Sequence, residues 1–148
     1  MELSLLFEDN NTGHKDLILN FAGQVWLCDS YYLVLDNKLL PDQEDVNKIR
    51  LVLRKLLEQW LSAVEIFADG NTVYLPYDFS DQYTAWLRCI RSDIVVEVCR
   101  GWAEKEGWAI APSAIGEYLT QLPGFQPLGP TVLVSYNELL DAIRNMLK

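Results

Sequence analysis

Apolar and polar positions alternate, then recur at helical spacing, then alternate again along this chain, and these changes of period outline its elements. Residues 3–7 alternate weakly and read as a strand. The segment EDNNTGHKD that follows is turn chemistry, Asn-rich around Gly13, and Leu17–Phe21 resumes as a second strand that closes a hairpin. Gln24–Cys28 and Tyr31–Leu35 are two further apolar runs, and Asp29-Ser30 suits a tight connection between them. Asn37 and Pro41 close this region.

The period then changes to helical. Val46, Ile49, Leu53, Leu56, Leu57, Trp60, Leu61, Val64 and Phe67 fall on one face of a helix predicted over 43–68. Asp42 is the expected cap, with Asp45 three residues on. Asp69-Gly70 supplies the stop, because glycine tolerates the left-handed conformation. Leu51 lies off the stripe, and Arg50 and Arg54 flank it on the solvent side.

From Thr72 to Trp108 the pattern returns to alternation in a stretch rich in aromatics: three of the five tryptophans, three tyrosines and Phe79. Val73–Leu75 reads as a strand that Pro76 ends or confines to an edge, leaving YDFSD as a loop. Tyr83, Ala85, Leu87 and Cys89 alternate with polar and aromatic neighbours, Ser92-Asp93 turns the chain, and Ile94, Val96 and Val98 return. A helix from Tyr83 competes for this segment, but the Ile-Val-Val-x-Val run favours strand. In GWAEKEGWA, two Gly-Trp-Ala triplets read as strand ends flanking an exposed turn. Ser113 is expected to cap a short helix carrying Ile115, Tyr118, Leu119 and Leu122 that Pro123 stops. PGFQPLGP is a loop, Thr131–Ser135 a last strand, and Ser135 with Glu138 a capping box for a C-terminal amphipathic helix. Strands clustered before and after one long helix predict a single α+β domain over 1–148: a twisted antiparallel sheet packed against the long central helix and the C-terminal helix.

Composition narrows the function more than it identifies it. The net charge of −9 disfavours nucleic acid and anionic membranes and favours a basic protein partner; it leaves homo-oligomerisation open. The N-terminal MELSLLFEDNN lacks a basic region ahead of its apolar run, so a cytoplasmic location is expected. Cys28, Cys89 and Cys99 have no CxxC spacing; they predict three free thiols and no metal site. Pairing about Ser92-Asp93 sets Cys89 opposite roughly Val96, not Cys99. His14, the only histidine, sits in a flexible turn, a poor platform for a catalytic base, and no glycine pattern builds a phosphate cradle. Neither a cofactor nor a catalytic residue is expected.

The candidate chemistry is in the aromatic stretch. Asp78 and Asp81 flank Phe79 in YDFSDQY, and a projecting Tyr77–Gln82 loop would set these acids beside Tyr77, Tyr83, Trp86, Trp102 and Trp108. Carboxylates there would steer a basic partner and the aromatics would anchor it. The alternatives are a small-molecule or regulatory domain with an aromatic pocket near Tyr77, Tyr83 and Trp86, and an enzyme using Asp78 and Asp81. A small, acidic, tryptophan-rich α+β chain with the segments YLPYDFSDQY and GWAEKEGW resembles the bacterial immunity proteins that neutralise toxins. That resemblance implies a binding protein whose acidic surface occludes the basic active site of its partner, and it carries over no individual residue role.

Overall fold

The computed structural model describes residues 2–39 and 45–148. It is α+β, with two antiparallel sheets where the sequence predicts one. The first is a meander of β1 (Leu3–Phe7), β2 (Leu17–Phe21) and β3 (Gln24–Cys28). Ala22 and Gly23, both at positive φ, form the two-residue turn between β2 and β3 that such backbone angles favour. The second sheet comprises β4 (Thr72–Phe79), β5 (Thr84–Ser92), β6 (Val95–Ala103), β7 (Gln126–Pro127) and β8 (Val132–Ser135). Strand β6 pairs with β7 through Gly101 and Trp102 and with β8 through Val95–Val98.

Between the sheets in sequence lie α1 (Tyr31–Val34) and α2 (Val46–Glu65), and α3 (Tyr136–Met146) ends the chain. The apolar run at Tyr31 is therefore a helical turn. Asp16, itself buried, accepts hydrogen bonds from Ser30 N–H (3.0 Å) and Ser30 Oγ (2.7 Å), and those bonds turn the chain out of β3. Helix α2 is shorter than predicted. Asp45 caps it by accepting from Lys48 N–H at 2.9 Å, and the expected cap Asp42 lies outside the described residues. Val52 and Ala63 widen the buried stripe, and Leu51 is exposed. Lys48 is enclosed as well, its Nζ donating to Leu39 O. Trp60, fully buried, donates Nε1–H to Pro76 O at 3.0 Å and so ties α2 to β4. One hydrophobic cluster runs from β1 through α2 and the second sheet to α3.

Two more expectations change. Ser113 caps nothing: its N–H (2.7 Å) and Oγ (2.9 Å) donate to buried Asp36, and the segment beyond forms only a 3₁₀ turn, Gly116–Leu119. The second Gly-Trp-Ala triplet is also a 3₁₀ turn, Gly107–Ala109, held against the end of β4 by Gly107 N–H donating to Ser80 O at 2.7 Å. Ser135 does cap α3, accepting from Glu138 N–H at 3.0 Å. Among the described residues, no helix is long and apolar enough to cross a membrane.

Candidate functional site

The site grows from an irregularity in β4. Pro76 has no N–H to offer, and β4 is the strand at the edge of its sheet, where that loss is tolerated. Pairing does not stop there: Pro76 faces Trp86, the next registered pair is Asp78 with Ala85, and Tyr77 is skipped as a bulge. The strand continues to Phe79, so the projecting loop expected over Tyr77–Gln82 shrinks to the turn after it. A bulge breaks side-chain alternation, and here it lets both Tyr77 and Asp78 line one groove.

That groove, about 730 Å³, lies where β3 of the first sheet meets β4–β6 of the second. Trp26 and Cys28 come from β3, Arg100 and Trp102 from β6, Tyr83 from the turn before β5, and Glu104 and Glu106 from the chain beyond β6. Arg100 and Trp102 are two residues apart on one strand and so share a face. The Tyr83 and Trp102 rings meet edge-on with centroids 6.2 Å apart. The Arg100 guanidinium lies over Trp26, 4.2 Å from its ring centroid, and Nη1 donates to the Tyr77 hydroxyl at 3.3 Å.

Asp78 bridges the sheets, accepting from Asp29 N–H at 3.3 Å. Burial pushes its carboxyl up to about 6; the hydrogen bond from Asp29 N–H offsets part of this, and the Asp29 charge adds to it. Burial also raises the Cys28 thiol, with Asp78 and Asp29 adding to the effect, and it raises the Tyr77 hydroxyl against the pull of Arg100. Asp81 is exposed and accepts from the Tyr32 hydroxyl; chiefly through that bond, the hydroxyl is pushed up to about 12.

The structure thus gathers Tyr77, Asp78, Tyr83 and Trp102 and separates the other expected residues from them. Trp86 is fully enclosed, its Nε1–H donating to Thr84 Oγ1 at 2.8 Å and its ring near Tyr118; it presents no surface to a partner and takes no part in the groove. Trp108 is 69% exposed in a separate, smaller cleft with Tyr32 and Leu35. Of the two aspartates expected to project together, Asp78 is held between the sheets and Asp81 faces outward on the neighbouring turn. Sequence reasoning missed Trp26, Arg100, Glu104 and Glu106. The spacing of Arg100 from Trp102 carried a signal, since residues two apart on a strand face the same way.

Among the described residues, no three His, Cys, Asp or Glu side chains are placed to hold a metal. His14 is exposed, stacked on Tyr31 and 3.6 Å from the Asp29 carboxylate. Comparison with family models, curated proteins and solved structures found no match.

Proposed function

We propose that this chain is a binding protein and that the groove between its two sheets receives the ligand. The observation that carries this reading is the groove itself. A concave site of about 730 Å³ has the size of small-ligand sites, and a few polar groups converge in it between aromatic walls. Indole, benzoate and benzylamine, titrated in turn, test it through the indole N–H signals of Trp26 and Trp102. Binding is expected to move those two signals and to vanish in Trp102→Ala; shifts confined to other clefts, or none, count against the groove.

A second reading, a basic protein partner neutralised as an immunity protein would do it, is favoured by the acidic rim. Glu104 and Glu106 border the groove, and exposed Asp81 lies on the turn that carries half-exposed Tyr83. Its test is association with a basic nuclease as salt is varied. Glu104→Gln with Glu106→Gln should slow association more than an equal loss of charge at remote Glu2 and Asp141. Equal slowing by the two pairs would reduce the effect to net charge alone.

A further inference from the structure

Resting on the groove reading above, we infer that the ligand is a zwitterion of the amino-acid type, its carboxylate on Arg100 and its ammonium toward Glu104 and Glu106. Arginine offers five N–H donors in a rigid fork that matches a carboxylate. Here one nitrogen is engaged, by Tyr77, and the contact over the Trp26 ring uses no donor. Among the described residues, no carboxylate lies within ion-pair distance of Arg100. The remaining guanidinium nitrogens are not sealed in the protein, because among the described residues only Arg88 Nε is a buried, unpartnered side-chain nitrogen or oxygen. Arg100 thus presents a preformed, solvent-facing anion anchor in a chain of net charge −9.

The rim argues against a simple anion. Glu104 and Glu106 line the same groove, and among the described residues neither has an ion-pair partner; the Lys105 ammonium between them in sequence sits over the Tyr118 ring at 5.5 Å. Asp78 adds a third carboxyl. A simple anion gains Arg100 but meets the rim's charge, and a simple cation gains the rim but meets Arg100, so each binds more weakly than a ligand whose two charges satisfy both. Trp102 and Tyr83 supply the apolar wall for its body.

Three probes separate the groups: phenylalanine, phenylalaninamide without the carboxylate, and 3-phenylpropionate without the ammonium. Affinity is read at neutral pH from the Trp26 and Trp102 indole N–H signals and the Arg100 Nε–H signal. Phenylalanine is expected to bind at least about tenfold more tightly than either analogue. Arg100→Gln should abolish its advantage over the amide; Arg100→Lys, which keeps charge and stem, should retain part of it. Glu104→Gln with Glu106→Gln, on the rim, should abolish the advantage over 3-phenylpropionate. Equal affinity for all three, or an advantage that survives both sets of variants, overturns the zwitterion while leaving the groove standing. No perturbation by any probe at millimolar concentration overturns the groove reading as well.

Discussion

Asp78 bridges the two sheets in the wall of the groove, yet its ionised form is unwelcome there, so its titration should register in stability. Its folded-state carboxyl sits at about 6, against 3.8 for an ordinary aspartate. A raised folded-state value means that the native protein holds the proton more tightly than the unfolded chain does. The stabilisation is therefore fully present below the unfolded value and is lost as pH rises through about 6. At about 1.4 kcal/mol per pH unit, the gap corresponds to roughly 3 kcal/mol, of which about 2–3 kcal/mol falls between pH 4 and pH 8. Many other carboxylates titrate across that range, so the measurement is a difference. Urea unfolding of the parent and of Asp78→Asn is followed near pH 4, 6 and 8. The variant keeps the shape and one acceptor for Asp29 N–H but cannot ionise. Whatever it loses at pH 4, its stability relative to the parent should improve by about 2–3 kcal/mol by pH 8, most of it above pH 5. A difference flat within about 0.5 kcal/mol across the range, or one of opposite sign, would refute the desolvation argument.

Trp60→Ala removes a fully buried ring and strands Pro76 O, so denaturant titration should show a loss of about 3–5 kcal/mol with an unchanged m-value; a loss below about 1 kcal/mol would mean that α2 does not depend on this contact. Cys89 pairs with Val98 and Cys99 with Arg88, which puts the two thiols on opposite faces of the sheet, and burial pushes Cys89 up to about 12. Thiol labelling without reductant should therefore find three free cysteines in denaturant and slow reaction in the native protein; one labelled equivalent in denaturant would contradict this. Gly101→Ala should cost at least about 1–3 kcal/mol, because a Cβ there would overlap the Phe125 ring and Gln126 O, and a melting temperature unchanged from the parent would show that β7 does not pack where it is placed.

Local periodicity was enough to mark β1, β2, the stripe of α2, the β5–β6 hairpin and the Ser135 cap, because each rests on neighbours a few residues apart. Even there the hairpin turn lies one residue later than expected, at Asp93-Ile94, and Cys89 meets Val98 instead of Val96. Tertiary contacts decided the rest. Tyr31–Val34 became a helical turn and Ser113 lost its capping role because buried Asp16 claims the N–H and hydroxyl of Ser30, just ahead of that turn, and buried Asp36 claims those of Ser113 from far along the chain. An aspartate's pattern in sequence does not reveal which distant donors it will satisfy. The same limit applied to the site. The aromatic and acidic content of YDFSDQY was plain to read, but which of those residues share a surface depended on the bulge at Tyr77 and on β3, about fifty residues earlier, laying Trp26 over Arg100. Composition supplied the groove's materials; packing beside Tyr118, on the face of β5 away from the groove, sealed Trp86 inside, and the meeting of the two sheets left Arg100 in the groove's wall.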